Sequence, residues 1–98
     1  MIQLKKNSMA IIKFTSALKR FYPDLDEIEI EVKNVNEVLE KINMKHAGIK
    51  NYLIDDRGIL RKHINIFVDG ELILDREKMT DPLKTESEVY IMQALSGG

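Results

Sequence analysis

The hydrophobic residues of the chain recur with two different periods, and the switch between them predicts the first elements. From Glu27 to Val32, glutamates alternate strictly with isoleucine or valine, which is typical of a strand with one face in the core. From Val35 to Ile42, the apolar residues fall instead at i, i+3, i+4 and i+7, which predicts a helix with one apolar face. A strand followed closely by a helix is therefore expected in the first half of the chain.

Capping signals mark both ends of this main helix. Asn34 fits the N-cap position, and Glu37 stands three residues later, where it can complete a capping box. Gly48 is expected to stop the helix because glycine adopts the left-handed conformation that closes many helices. A further short helical turn is expected from Ile49 to Leu53.

The remaining strands are predicted from alternating residues before and after the helix. Residues 10–15 form a first strand, residues 64–68 and 71–73 form a hairpin around Asp69-Gly70, and residues 88–94 form the last strand. The side chains expected to face the core are Ala10, Ile12, Phe14, Val89 and Ile91.

The resulting order is strand, strand, helix, strand, strand, strand, which predicts an α+β domain with the helix packed on one face of the sheet. The other face would then be open to solvent. The apolar residues expected on that open face are Ile11, Phe67, Tyr90 and Met92.

Length and composition narrow the possible functions. The chain has 98 residues, enough for one domain, and a formal charge of -1 from 15 basic and 16 acidic residues. No Lys/Arg block long enough for nucleic acid and no apolar run long enough for a membrane span occurs, so neither partner is expected. A domain this small rarely builds a deep catalytic cleft, which favours a binding module or a carrier over an enzyme.

The residue types that usually perform chemistry are sparse. Cysteine is absent, which excludes disulfides and thiolate chemistry and is consistent with the reducing cytoplasm. His46 and His63 have no second ligand at metal-binding spacing, so no metal site is expected. The feature that remains is the C-terminal Gly97-Gly98.

Two segments resemble a known family. The hairpin at residues 65–71 and the closing segment at residues 88–98, with its terminal Gly-Gly, resemble the MoaD/ThiS ubiquitin-like sulfur carriers over residues 9–98. The segment at residues 55–66 is most similar to the CysO branch, which acts in cysteine synthesis. The chain has Ser87-Glu88 where family members usually carry Gly-Asp, and Gln93 where many carry proline.

The resemblance implies a β-grasp fold, with a mixed sheet of four to five strands and one main helix, and a chemistry performed by partners. An adenylating enzyme related to ubiquitin-activating enzymes would use ATP and magnesium to activate the Gly98 carboxylate, and sulfur would replace AMP to give a thiocarboxylate. A downstream sulfur-accepting enzyme would take the sulfur. The chain itself would bind no cofactor and would be a protein cosubstrate. Because glycine has no Cβ, Gly97 and Gly98 could enter a narrow channel.

The family also docks through the open sheet face. The resemblance therefore implies that Phe67, Tyr90, Met92 and Leu95, together with Ile11, contact the adenylating enzyme. Residues 1–8 are expected to be a loose leader, residues 9–94 the domain, and residues 95–98 a flexible tail.

Three functions remain open on the sequence. The chain could be a sulfur carrier for cysteine, molybdopterin, thiamine or thiolated tRNA, with cysteine favoured by residues 55–66. It could be a protein modifier that is joined to a target lysine through Gly98. It could also be a β-grasp interaction module in which the two glycines have no chemical role.

Overall fold

A computed structural model describes residues 9–94 of the chain. The strands in this range are β1 (Met9–Phe14), β2 (Ile28–Glu31), β3 (Ile64–Val68), β4 (Glu71–Leu72) and β5 (Glu88–Gln93). The helices are α1 (Ser16–Lys19), α2 (Val35–Lys45) and α3 (Ile49–Leu53). The expected leader at residues 1–8 and tail at residues 95–98 lie outside the described residues.

The strands form one mixed sheet in the order β2-β1-β5-β3-β4. β5 lies in the centre, parallel to β1 on one side and antiparallel to β3 on the other. The sheet, with α2 on one face, is the α+β ubiquitin-like β-grasp fold, so the predicted fold class is confirmed.

The core lies between the inner face of the sheet and α2. The apolar stripe of α2 is fully buried, and each of its residues is 0% exposed: Val35, Val38, Leu39 and Ile42. The five strand residues expected to face the core are also buried. The two periodicities in the sequence therefore identified the two faces that pack together.

The start of α2 differs in one detail from a capping box. Asn34 is the N-cap, and its side chain accepts a hydrogen bond from the Glu37 amide at 2.9 Å, as predicted. The Glu37 carboxylate, however, accepts from the amide of Lys33 at 2.8 Å rather than from that of Asn34. At the other end α2 closes after Lys45, and Gly48 adopts a φ of 97° as the residue that precedes α3.

The β3–β4 hairpin has the predicted tight turn. Asp69 and Gly70 have φ angles of 51° and 87°, and positive values at both positions are characteristic of a type I′ turn. β4 ends at Leu72 rather than at Ile73. Ile73 nevertheless donates its amide to the carbonyl of Ile66 at 3.0 Å and is buried.

The long connection from β4 to β5 is organised by an aspartate at its start. The Asp75 carboxylate accepts hydrogen bonds from the Thr80 hydroxyl at 2.6 Å and from the amides of Glu77, Lys78 and Thr80. These hydrogen bonds hold the pKa of Asp75 well below its ordinary value, and the one from the Thr80 hydroxyl has the largest effect. The loop is thereby closed on itself, and the side chain of Met79 is buried in the core.

Arg76 ties the same connection to the segment that precedes β3. Its guanidinium donates to the carbonyl oxygens of Arg61 at 2.6 Å and Ile64 at 2.9 Å, and to the side chain of Asn65 at 3.1 Å. The amide of Leu60 in turn donates to the Arg76 carbonyl at 3.0 Å. One side chain therefore fastens two otherwise irregular segments to each other.

A second aspartate shapes the loop after α3. The Asp55 carboxylate accepts from the amides of Arg57 at 2.9 Å and Ile59 at 3.0 Å. The Ile59 hydrogen bond is the main cause of the lowered pKa of Asp55.

None of the helices within residues 9–94 is long and apolar enough to cross a membrane.

Candidate functional site

The outer face of the sheet carries an apolar depression over its central strands. Tyr90 on β5 lies between Lys13 on β1 and Phe67 on β3 in the strand register. Met92 follows on the same face of β5, where it pairs with Asn65. This open depression has a volume of about 500 Å³, and we call it the outer depression. Its lining residues are Lys13, Phe67, Gly70, Glu88, Tyr90 and Met92.

The outer depression combines an apolar floor with one charged pair. Tyr90 is 37% exposed, and Phe67 and Met92 are half-buried. Lys13 Nζ lies 3.5 Å from Glu88 Oε2, an exposed pair that contributes little to stability. A partner that covers this surface would bury aromatic and thioether groups while it meets one positive and one negative side chain at the edge.

The predicted set of partner-binding residues is only partly brought together. Phe67, Tyr90 and Met92 line the same depression. Ile11 lies on the same face but pairs with Glu29 and Glu88, and it lines a separate, smaller depression with Met9, Glu29 and Glu86. In the register of β1 and β5, Ile11 stands opposite Glu88 and Lys13 stands opposite Tyr90, so Lys13 rather than Ile11 adjoins the aromatic residues.

The remaining predicted site residues lie outside the described residues: Leu95, Gly97 and Gly98.

The exposed position of Leu72 beside Phe67 was not predicted from the sequence. Leu72 is 45% exposed and pairs with Phe67 across the hairpin. The signal was present, because a two-residue Asp69-Gly70 turn places Phe67 opposite Leu72.

The first residues of β5 are fixed by a buried serine. Ser87 is 2% exposed, and its hydroxyl donates to Asp69 Oδ2 at 2.9 Å and accepts from the amide of Lys84 at 2.8 Å. The amide of Glu88 donates to Asp69 Oδ1 at 2.9 Å. The Ser87 hydroxyl thus both donates and accepts a hydrogen bond, and it links the hairpin turn to β5.

The last residues of β5 are fixed as well. The amide of Gln93 donates to Thr15 Oγ1 at 3.2 Å, and the amide of Ala94 donates to the carbonyl of His63 at 2.8 Å. Ala94 is exposed, and residues 95–98 follow it in the sequence. The point at which the chain leaves the sheet is therefore well defined and adjoins Met92 of the outer depression.

Metal-binding side chains are not clustered in the described part of the chain. Within residues 9–94, no group of three or more His, Cys, Asp or Glu side chains is placed to hold an ion. His63 instead lies with its ring edge-on to Tyr52, at a centroid distance of 6.5 Å.

Solved structures with this fold are numerous. One is a chain of the BexX/CysO complex of Amycolatopsis orientalis, with 22% identity and a TM-score of 0.77, covering 91% of this chain and 99% of that one. SAMP1 of Haloferax volcanii matches with 19% identity and a TM-score of 0.76, covering 92% and 99%. CysO of Mycobacterium tuberculosis matches with 17% identity and a TM-score of 0.74, covering 88% and 99%. At these identities the similarity shows the fold alone.

Sequence comparison identifies the family. No curated protein sequence is significantly similar to this chain. The model of the ThiS family, however, matches residues 12–98, which include β1 from Ile12 onward, every later element and both terminal glycines. The family indicated by the resemblance at residues 65–71 and 88–98 is thereby confirmed, and the chain belongs to the ThiS family.

Proposed function

We propose that this chain is a sulfur carrier whose Gly98 carboxylate is adenylated by a partner enzyme and converted to a thiocarboxylate. The observation that carries the proposal is the match to the ThiS family through residue 98, which places Gly97-Gly98 inside the family pattern rather than beyond it. The reactive atoms would be those of the Gly98 carboxylate, and the catalytic groups would belong to the partner.

The geometry at the end of β5 supports this role. Four residues follow Ala94, and an extended chain spans about 3.3 Å per residue, so Gly98 can reach roughly 13 Å beyond the sheet. An enzyme that covers the outer depression would therefore have its active site within reach of Gly98. The hydrogen bonds of Gln93 and Ala94 provide a fixed base from which the residues after them extend.

The chemistry explains why a partner is needed. A carboxylate resists nucleophilic attack because it is negatively charged and has no usable leaving group. Attack of a Gly98 carboxylate oxygen on the α-phosphorus of ATP releases pyrophosphate and forms an acyl adenylate. Hydrosulfide then attacks the carbonyl carbon, AMP leaves, and a thiocarboxylate and a proton remain. These two steps replace a direct attack of hydrosulfide on the unactivated carboxylate, which lacks a usable leaving group. ATP and magnesium belong to the partner in this scheme.

The partners are proposed on the same basis. The BexX/CysO complex is a case in which a similar fold occurs together with another protein. For this chain we propose an adenylating enzyme related to ubiquitin-activating enzymes, docked on Phe67, Tyr90 and Met92, and a separate sulfur-accepting enzyme. Cysteine synthesis is the favoured destination of the sulfur, and molybdopterin, thiamine and tRNA thiolation are the alternatives.

A second candidate function is supported by other structural neighbours. Two chains with this fold, from Haloferax volcanii and Methanosarcina acetivorans, are named small archaeal modifier protein 1. A protein modifier and a sulfur carrier would both form an acyl adenylate at Gly98. In the modifier the nucleophile that displaces AMP is a lysine amine, whereas in the carrier it is hydrosulfide. The two functions therefore differ only after the first step.

Intact mass spectrometry tests both candidates. The chain would be produced with a candidate adenylating enzyme, and a chain lacking Gly98 would be the control. A mass increase equal to the replacement of one oxygen by sulfur, absent from the control, is expected for the carrier. Adducts with other proteins would favour the modifier. An unchanged mass with every adenylating enzyme tested would refute both. The identity of the sulfur-accepting enzyme that co-purifies with the chain would then define the destination of the sulfur.

A further inference from the structure

A polar side chain occupies the inner face of the sheet at the end of β5. Val89 and Ile91 are fully buried on that face, and the alternation places Gln93 next on the same side. Gln93 Oε1 accepts a hydrogen bond of 2.7 Å from the hydroxyl of Tyr52, which is 41 positions away in the sequence. The end of the central strand is thus joined to α3 by one side-chain contact.

The position of the Tyr52 ring is itself fixed by packing. α3 is anchored by Ile49 and Leu53, which are both 0% exposed. The ring centroid of Tyr52 lies 5.4 Å from that of Phe21 and 6.0 Å from that of Tyr22, in tilted and edge-on arrangements. These contacts have the tilted and edge-on geometries that aromatic pairs prefer, and they restrict the ring whose hydroxyl reaches Gln93.

Three separate parts of the fold therefore hold the last two described residues. Thr15 after β1 accepts from the Gln93 amide, Tyr52 on α3 donates to the Gln93 side chain, and His63 before β3 accepts from the Ala94 amide. The first and third contacts hold the backbone. The second is the one contact of the three that is made entirely by side chains, so it can be removed without altering the backbone ladder.

We propose that Tyr52 is a positioning residue for the adenylation of Gly98, acting through its hydrogen bond to Gln93. The proposal rests on the proposed function. Gln93 and Ala94 are the residues from which the segment toward Gly98 leaves the sheet, so the Tyr52 contact restricts the point where that segment begins. Attack on the α-phosphorus requires the carboxylate in one orientation, and loss of orientation lowers the rate of the chemical step. Docking through the outer depression, on the opposite face of the sheet, does not depend on Tyr52.

The test is steady-state ATP–pyrophosphate exchange with the adenylating enzyme, with the chain as the varied substrate. Tyr52→Phe removes only the hydroxyl, and Gln93→Met replaces the side-chain amide, including the acceptor Oε1, with a thioether of similar length. Each is expected to lower kcat about fivefold, the size of effect expected for one neutral hydrogen bond. KM is expected to stay within about twofold because the docking surface is intact. The double variant is expected to lose no more than either single variant, since both remove the same contact.

The matched control is Tyr22→Phe. Tyr22 belongs to the same aromatic cluster, but its hydroxyl has no hydrogen-bond partner among residues 9–94. This variant is expected to leave kcat unchanged. An equal fall in kcat for Tyr22→Phe and Tyr52→Phe would overturn the proposal, because the loss would then come from the cluster and not from the contact with Gln93.

Amide hydrogen exchange in the isolated chain provides a readout that needs no partner. The amides of Gln93 and Ala94 are expected to exchange several-fold faster in Tyr52→Phe, while that of Ile66 in the centre of β3 is unchanged. If the wild-type chain supports pyrophosphate exchange but the Tyr52 and Gln93 variants keep its kcat, only the role of Tyr52 is refuted. If the wild-type chain supports none, the proposed function fails and the role of Tyr52 fails with it, whatever the amide rates.

Discussion

Replacement of Met92 by aspartate is the sharpest test of the outer depression as a docking surface. Met92 is half-buried in the isolated domain and lies beside Tyr90 on the face opposite α2. Full burial of a methionine side chain contributes a favourable free energy of about 1.5–3 kcal/mol. Burial of the accessible half of the Met92 side chain by a partner would therefore contribute ~1 kcal/mol to docking. Burial of a new carboxylate against an apolar partner surface costs about 2 kcal/mol more, even when part of its solvation is replaced.

The two contributions together predict a loss of about 3 kcal/mol, which corresponds to a roughly hundredfold rise in KM for the chain. The assay is ATP–pyrophosphate exchange at varied concentrations of the chain. Met44→Asp is the matched control because it makes the same substitution on α2, on the other side of the domain, at a side chain that is 81% exposed. Met44→Asp is expected to change KM less than about twofold.

Urea unfolding of both variants separates docking from folding. Met92 is half-buried, Met44 is exposed, and neither belongs to the buried core, so both variants are expected to keep a cooperative transition. Equal KM values for Met92→Asp and Met44→Asp, with both chains folded, would refute the assignment of the outer depression as the docking surface. A large KM effect from Ile11→Asp with none from Met92→Asp would move that surface to the smaller depression around Glu29 and Glu86.

Three further predictions concern the fold around the site. Arg76→Ala is expected to lower the free energy of unfolding by about 2–4 kcal/mol. Arg76→Lys is expected to recover less than half of this loss, because a single ammonium nitrogen cannot take the place of the two guanidinium nitrogens, one of which contacts Asn65 and the other the Arg61 and Ile64 carbonyl oxygens. An equal effect of the two variants in urea unfolding would contradict this. Gly70→Ala is expected to cost about 1–2 kcal/mol from backbone strain alone, because φ is 87° and a Cβ would meet nothing within 4 Å; a larger loss in the same assay would contradict this reading. The folded-state pKa of Asp75 lies below the ordinary 3.8, so the stability it contributes is present above pH ~4 and is lost as the pH falls toward the folded-state pKa. Asp75→Asn should therefore flatten the fall in urea midpoint below pH ~4, and an unchanged slope would contradict this.

The regular elements could be predicted because each depends on a local pattern. Alternation defined the strands, the Asp69-Gly70 pair defined the hairpin turn, and the stripe from Val35 to Ile42 defined α2. The outward positions of Tyr90 and Met92 followed from the same alternation, since one strand with a buried face admits a single register.

The features that were missed depend on contacts between distant or irregular segments. The Arg76 contacts and the burial of Met79 lie in a connection with no periodicity, so no pattern in the sequence indicates them. The separation of Ile11 from Tyr90 depends on the pairing of β1 with β5, which sets Lys13 beside Tyr90. The bond between Tyr52 and Gln93 joins two elements that neither propensity nor spacing relates to each other.

The central position of β5 has a consequence for how the chain folds as it is synthesised. β5 is the last strand within residues 9–94, yet β1 and β3 have no neighbour on their inner edges until it is present. Contacts between the first and last strands are of long sequence separation, which makes the sheet a late and cooperative product of folding. A nascent chain that stops before residue 88 lacks the middle of its sheet and exposes two unpaired edges, which are surfaces that chaperones and proteases recognise. Tyr90 and Met92 of the outer depression lie on this same strand, so the depression forms only when the sheet is complete.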